Sequence, residues 1–357
     1  MKKVSKTSFK YPSLNSFYRK LGQGKPAKIA YLGGSITFGA TASDPLKTSW
    51  RALNAEYLKR KFPRGHLGPI DAAIGGKGSK LAVFRMDRDV IPYSPDLTFV
   101  EYAVNDWEDP TGLESVEGII RKLKISKPDM EIVILIIGSN KEYGCPKRDS
   151  YAKLAEYYGL PCIDLFSQVK KRIGAKLATQ DFLTDGCHPN DRGYKLYADI
   201  INSNLDKLAE EKGKPGKFPE KPMTSNRFQT AKIIELSKLK KLGTWEKGVV
   251  DVTGIWFDHQ PSRWMSSVIT PAADNAKLDL NLKCSGLGLY YESMPEGEKV
   301  IIEIDGKEFL KADTSFKFHY PGLGFDFQFL PESKVRKVTL SSPEKGKVKV
   351  GYLLYTN

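Results

Sequence analysis

The first 209 residues alternate between short apolar runs and stretches of helical periodicity, and this alternation most constrains the fold. The apolar runs are "KIAYL", "GPIDAAI", "DLTFVEYAV", "EIVILIIG" and "PCIDLF", at 28–32, 68–74, 96–104, 131–138 and 161–166. Between them, stretches such as 49–62, 112–126 and 148–159 place apolar side chains near one stripe. Strands that alternate with helices favour a parallel sheet covered on both faces. The sequence therefore predicts an α/β domain, closed by a helix over about 190–209 that Asn190 caps.

The character of the sequence changes after this helix. Residues 210–225, "EEKGKPGKFPEKPMTS", are rich in Lys, Pro and Gly, which is typical of a linker. Further on, apolar and polar residues alternate in short runs, and "DG" at 305–306 indicates a β-hairpin. Because 357 residues are too many for one ordinary core, we predict two domains. The predicted ranges are an α/β domain at 1–210, a linker at 211–224 and an antiparallel β-sandwich of jelly-roll type at 225–357.

The charge distribution argues against a nucleic-acid partner. The net charge is +14, but the segment 1–28 holds eight Lys and Arg residues and no acid. More than half of the excess therefore lies in an N-terminal arm rather than on an element that could read a groove. Since no apolar run approaches the length of about 20 residues that a bilayer requires, we also expect no membrane association. The sequence does not predict the oligomeric state.

The N-terminus and the cysteines bear on the compartment. "MKKVSKTSFKYPS" begins with basic residues but has no apolar stretch, so no signal peptide is visible. We expect a cytoplasmic protein, with a secreted protein whose signal has been removed as the alternative. The four cysteines form no CxxC pair, and with four histidines no zinc spacing arises, so we expect reduced thiols and no metal.

Four short polar stretches in the predicted α/β domain carry chemistry. They are "GGSIT" with Ser35, "AAIGGKGS" with Gly76, "EYAVND" with Asn105, and "DGCHPN" with Asp185 and His188. The carboxyl ends of neighbouring parallel strands meet at one edge of a sheet, so the first three stretches converge on one crevice. A serine nucleophile needs a base, and an aspartate three residues before a histidine can orient the imidazole. We therefore predict Ser35, His188 and Asp185 as a catalytic triad for acyl transfer.

The same crevice contains donors for the oxyanion that acyl transfer creates. These candidates are the backbone N–H groups of Ser35 and Gly76 and the side-chain amide of Asn105. Glycine at position 76 lets the backbone approach a ligand closely. Three neighbouring residues are predicted to rim the crevice and contact the substrate: Gly34, Asp106 and Trp107.

Each stretch alone is an ordinary turn, but their order is specific. Ser, Gly, Asn and Asp-x-x-His in this order resemble the SGNH, or GDSL-type, hydrolase superfamily over about residues 28–205. The resemblance implies a flavodoxin-like three-layer α/β/α fold and no metal or other cofactor. It implies Ser35 as the nucleophile, Asp185 and His188 as its triad partners, and Gly76 and Asn105 as oxyanion donors. Two departures, Gly34 where many members have Asp and Ala103 where Gly is usual, alter the loops and bear on the substrate class.

A triad with an oxyanion hole transfers acyl groups through an acyl-enzyme, and ester hydrolysis is the usual outcome. "GLGLYYES" and "VIIEIDG" in the predicted β domain resemble the jelly-roll, carbohydrate-binding modules of SGNH-type esterases, including acetyl esterases of plant mannan and xylan. We therefore expect an esterase for O-acetyl groups on oligo- or polysaccharides. The alternatives are an acyltransferase, a lipase or thioesterase with the same triad, and a carbohydrate-binding protein without activity.

The start of the predicted β domain is unusually aromatic. "TGIWFDHQPSRWMSS", at 253–267, contains Trp256 and Trp264. Exposed aromatic clusters mark binding surfaces, although these side chains could equally fill the sandwich core. We predict that Trp256 or Trp264 faces the Ser35 crevice and holds the sugar there.

Overall fold

A computed structural model describes the chain over residues 14–139, 144–174, 181–211, 218–252, 261–317 and 321–357. The chain divides into two compact units. The first comprises the residues up to Ala82 and Arg88–Asn226, and the second comprises Val83–Asp87 and Arg227–Asn357. The finer ranges 1–210, 211–224 and 225–357 stay a prediction. No helix within the described ranges is long and apolar enough to cross a membrane.

The first unit contains a five-stranded parallel sheet in the order β2-β1-β3-β4-β5. Its strands are β1 (Pro26–Gly33), β2 (His66–Asp71), β3 (Leu97–Glu101), β4 (Glu131–Ile136) and β5 (Cys162–Asp164). The α-helices described along this part of the chain are α1 (Asn15–Gly22), α2 (Ser35–Phe38), α3 (Trp50–Lys61), α4 (Ser79–Asp89), α5 (Gly112–Ser126), α6 (Arg148–Tyr157), α7 (Leu165–Ile173) and α8 (Asp191–Glu210). This strand order is that of flavodoxin-like folds, which confirms the predicted fold class.

Local sequence signals explain where these helices begin. The Ser49 side chain caps α3 by accepting the N–H of Ala52, and Asn190 caps α8 by accepting the N–H of Gly193. Every residue of β3 is buried, as expected for a parallel strand covered on both faces. The apolar stripe of α3 contributes Trp50, whose ring centroid lies 5.4 Å from those of both Tyr31 and Phe99. This fully buried aromatic cluster fixes α3 against the sheet.

The segment 218–226 is hydrogen-bonded to α5. The carboxylate of Glu117, which is fully buried, accepts the backbone N–H of Met223 at 2.5 Å and that of Thr224 at 2.8 Å. It also accepts the hydroxyl groups of Thr224 and Tyr158. The described part of the predicted linker is therefore held to the first unit by a buried hydrogen-bond network.

The second unit contains one eight-stranded antiparallel sheet in the order β11-β10-β12-β9-β13-β8-β7, with β6 also paired to β13. Its strands are β6 (Lys232–Glu235), β7 (Trp245–Gly248), β8 (Val268–Pro271), β9 (Ala276–Ser293), β10 (Lys299–Ile304), β11 (Lys307–Asp313), β12 (Gly322–Ser342) and β13 (Lys349–Thr356). The predicted antiparallel β domain is confirmed.

Among the described residues of this unit, apolar side chains from most of the strands pack into a shared core. Residues from β7 through β13 contribute to the core, as expected for a β-sandwich, although the strands form one continuous hydrogen-bonded sheet. The β9–β12 pairing shifts register between Phe329 and Lys334, and such irregularities bend strands. The predicted "DG" hairpin joins β10 to β11, with both Asp305 and Gly306 at positive φ.

Candidate active site

Ser35 lies at the carboxyl end of β1, where the strand order places β2 on one side and β3 on the other. β1 ends at Gly33, and Ser35 begins the single turn of α2. The turn is closed by the N–H of Gly39, which donates to the Ser35 carbonyl at 3.0 Å. Ligands bind at such a switch point in open α/β sheets, and the half-buried serine is positioned there.

The three predicted triad residues lie within hydrogen-bond distance of one another. Ser35 Oγ is 2.8 Å from His188 Nε2, and His188 Nδ1 is 2.7 Å from Asp185 Oδ2. A proton on Nδ1 satisfies the carboxylate, which leaves Nε2 to accept the serine hydroxyl. The arrangement can therefore pass a proton from Ser35 to His188.

Asp185 is prepared for this contact by its own backbone turn. Its Oδ1 accepts the N–H groups of Cys187, at 3.0 Å, and His188, at 2.8 Å. Burial alone raises the pKa of Asp185, but the backbone and ring donors of His188 and the N–H of Cys187 outweigh it and lower the pKa to about 2. The carboxylate is thus ionised at neutral pH and can stabilise an imidazolium.

Hydrogen bonds join the segment after Ser35 to the segment that carries His188. The Thr41 hydroxyl donates to the Pro189 carbonyl at 2.9 Å, and the Tyr194 hydroxyl donates to the Ala40 carbonyl at 2.8 Å. These contacts connect the backbone segments that carry Ser35 and His188. They therefore help to fix the distance between the nucleophile and the base, in addition to the hydrogen bond between the two side chains.

Asn105, which follows β3, packs directly against the turn before Ser35. A Cβ atom on Gly34 would lie 1.8 Å from Oδ1 of Asn105 and 3.1 Å from its Nδ2. Glycine at position 34 is therefore required by the side-chain amide, which gives a physical reason for the departure from the Asp of many superfamily members. Gly34 is itself buried, and its predicted contact with substrate stays a prediction.

Gly76 lies between β2 and α4 with a φ of +66°. The residue is exposed, and no atom lies within 4 Å of the place that its Cβ would occupy. The glycine turn therefore borders open space, as a ligand-binding loop requires. Its role as an oxyanion donor stays a prediction.

With this geometry in view, residues 31–196 match the model of the GDSL-like lipase/acylhydrolase family. The first unit carries a GDSL-like acylhydrolase domain. The matched residues include Ser35, Gly76, Asn105, Asp185 and His188. The chain is thus an enzyme of the ester-hydrolase class.

Solved structures extend the similarity beyond the GDSL-like domain. A two-domain esterase active on acetylated mannans, crystallised with mannopentaose, has a TM-score of 0.78 and 22% identity, covering 97% of this chain and 96% of that chain. Another structure of a two-domain esterase with the same described activity gives a TM-score of 0.77, with the same identity and coverage. At this identity the likeness shows the fold, here of both units.

A more limited similarity is confined to half of the chain. An acetylxylan esterase from Geobacillus stearothermophilus has a TM-score of 0.41 and 19% identity, covering 50% of this chain and 94% of that chain. A search of curated proteins gave no significant match.

The structure corrects the prediction that Asp106 rims the crevice of the GDSL-like domain. Asp106 is fully buried, and its carboxylate accepts the N–H and the hydroxyl of Ser79 and the hydroxyl of Tyr151. A carboxylate with these partners is an internal anchor and has no surface to offer a substrate. Its neighbour Trp107 has 37% of its surface exposed, and its place at the rim of the crevice stays a prediction.

The two predicted tryptophans of the β domain have different outcomes. Trp264 is only 3% exposed, and the guanidinium carbon of Arg263 lies 4.6 Å from its ring centroid. A ring so enclosed has no open face for a sugar, so the structure contradicts the predicted stacking role of Trp264. Trp256 lies outside the described residues.

Glu101 is a buried acid that the sequence analysis missed. It ends β3, is fully buried, and accepts the hydroxyl of Thr37, two residues after Ser35, at 2.8 Å. Burial raises its pKa to about 7 against the opposing effect of Thr37 and the Gly34 N–H. An acid closing the largely apolar run "LTFVE" was the available signal.

Among the residues that the structure describes, no group of three or more His, Cys, Asp or Glu could hold a metal ion.

Proposed function

We propose that this chain is a serine esterase that hydrolyses O-acetyl esters on oligo- or polysaccharides of mannan or xylan type. The observation that carries the proposal is the Ser35–His188–Asp185 arrangement, with separations of 2.8 and 2.7 Å. A hydroxyl, an imidazole and an ionised carboxylate in this order are what acyl transfer through an acyl-enzyme requires.

In the first half-reaction, Ser35 Oγ attacks the carbonyl carbon of the acetyl ester while His188 Nε2 takes the hydroxyl proton. The negative charge that forms on the carbonyl oxygen is stabilised by the N–H groups of Ser35 and Gly76 and the amide of Asn105. Collapse of this intermediate breaks the bond to the sugar oxygen, which receives the proton from His188. The products are a free sugar hydroxyl and acetyl-Ser35.

In the second half-reaction, water replaces the sugar. His188 removes a proton from the water, whose oxygen attacks the acetyl carbon, and the same donors hold the second oxyanion. The bond between the acetyl carbon and Ser35 Oγ then breaks, and Oγ regains the proton. Asp185 stays ionised throughout and stabilises the imidazolium of each step.

The substrate class is supported by the extent of the structural similarity. The mannan-active esterase resembles this chain over both units, and it was crystallised with a five-sugar mannan fragment. In the chain itself, Trp107 presents partly exposed aromatic surface two residues after Asn105. An aromatic face at this place suits a sugar ring.

A panel of acetylated manno- and xylo-oligosaccharides, read by mass spectrometry and NMR, tests the proposal. We expect wild-type protein to release acetate into water and S35A to release none above background. Acetate release only when an acceptor sugar is added would identify an acyltransferase. A preference for long chains in a nitrophenyl-ester series would identify a lipase or thioesterase, and inactivity toward all esters would contradict the esterase proposal.

A further inference from the structure

We infer that Asp106 is a positioning residue that fixes the oxyanion donors Gly76 and Asn105 relative to each other, an inference that rests on the proposed function. Asp106 directly follows Asn105, and its carboxylate reaches Ser79, three residues after Gly76. One side chain thus joins the two loops that carry the donors.

The contacts of Asp106 use both of its oxygens. Oδ1 accepts the backbone N–H of Ser79 at 2.8 Å, and Oδ2 accepts the Ser79 hydroxyl at 2.5 Å and the hydroxyl of Tyr151. The backbone N–H of Asp106 donates to the Tyr102 carbonyl at 2.9 Å, which closes the turn containing Asn105. The start of α4 and the end of β3 are therefore linked through one fully buried residue.

Packing leaves this carboxylate little room to move. A Cβ on Gly78 would lie 2.3 Å from Asp106 Oδ1, and a Cβ on Gly112 would lie 2.9 Å from Asp106 Cβ. The glycine-rich loop therefore passes directly against the carboxylate. This contact explains why position 78 is also a glycine, although Gly78 is not a predicted oxyanion donor.

The physical basis is the precision that an oxyanion hole needs. Removal of one donor lowers kcat by about 10²–10³-fold, and a donor displaced by a fraction of an ångström loses part of that effect. Burial disfavours the carboxylate and raises the pKa of Asp106, although the hydrogen bonds from Ser79 and Tyr151 oppose that effect. The three donors hold the group in one orientation. In an asparagine at this position, the NH₂ group would face one of these donors, so at least one of the hydrogen bonds would be lost.

The test compares D106N with E117Q in the full-length chain, using nitrophenyl acetate. Glu117 is the matched control because it is also fully buried and accepts backbone and hydroxyl donors, but it binds the segment 218–226. We expect both variants to lower the melting temperature, and only D106N to lower kcat, by about tenfold or more with KM little changed. Wild-type kcat in D106N, or an equal loss of kcat in E117Q, would overturn the inference.

Two gentler variants keep the inference testable if D106N does not fold. Y151F and S79A each remove one hydroxyl donor and leave the carboxylate, so kcat should fall by a smaller factor in each and KM should stay near the wild-type value. Wild-type kcat in both would overturn the positioning role. S35A separates this result from failure of the proposed function, since an active S35A contradicts the triad whatever Asp106 does.

Discussion

Asp185 holds His188 at two points: its Oδ2 lies 2.7 Å from the ring Nδ1, and its Oδ1 accepts the backbone N–H of the same residue at 2.8 Å. The carboxylate therefore orients the ring and shapes the turn that carries it. A three-residue separation in sequence is enough for both contacts because the backbone of this turn folds back onto the aspartate.

The double contact predicts graded effects of substitution. Asp185→Asn should lower kcat by roughly 10²–10⁴-fold, since the amide can present a donor to Nδ1 and favour the wrong tautomer. His188→Ala should cost more, because no base remains. Initial rates with nitrophenyl acetate measure both, and circular dichroism checks the fold. Equal activity in D185N and wild type would contradict the role of the carboxylate.

The buried acid Glu101 predicts a dependence of stability on pH. Its pKa of about 7 in the folded state lies above the usual 4.5, so between these values the folded chain keeps a proton that the unfolded chain releases. Stability from this group is therefore present below pH 4.5 and falls as pH rises to 7, by about 3 kcal/mol. Glu101→Gln should remove this contribution to the slope of the unfolding free energy against pH, which urea unfolding at pH 5 and pH 8 measures. An unchanged slope would contradict the protonated state of Glu101.

Gly34 tests the placement of Asn105. Gly34→Ala puts a methyl group 1.8 Å from the amide oxygen of Asn105, so the amide must move and kcat should fall by about 10²-fold or more. The control is Gly68→Ala in β2, where the nearest atom would lie at an ordinary 3.4 Å. Kinetics with nitrophenyl acetate decide the matter, and similar kcat values for the two variants would argue against Asn105 as a donor.

The exposed ring of Trp107 tests the sugar contact. Trp107→Ala should reduce kcat/KM on acetylated oligosaccharides by about tenfold and leave nitrophenyl acetate nearly unaffected, since the small ester has no sugar to stack. Tyr93→Ala is the matched control, because Tyr93 is also exposed but lies before β3, at the amino end of the strand. Equal loss on both substrates would indicate a structural role for Trp107.

The order of the elements could be predicted from the sequence because it depends on local signals. The proposed triad joins residues 153 positions apart, and it was inferred from the order of the motifs and the family resemblance. Alternating periodicity identified β1 to β5, and the spacing of Asp185 and His188 is itself a local motif. The roles of Asp106 and Trp264 were predicted wrongly because burial depends on packing partners distant in sequence. Asp106 is covered by Ser79 and Tyr151, 27 and 45 residues away, and no local pattern announces such contacts. Glu101 was missed because an acid at the end of a largely apolar strand does not by itself show that the hydroxyl of Thr37, 64 residues away, donates to it.

The most direct test of the central claim is covalent labelling with a fluorophosphonate, followed by intact-mass measurement and peptide mapping. The triad geometry predicts one phosphonyl group per chain, attached to Ser35, with acetyl-ester hydrolysis lost in proportion to labelling and no labelling of H188A. Label on another residue, or full hydrolytic activity in a chain labelled at Ser35, would contradict the assignment of Ser35 as the nucleophile.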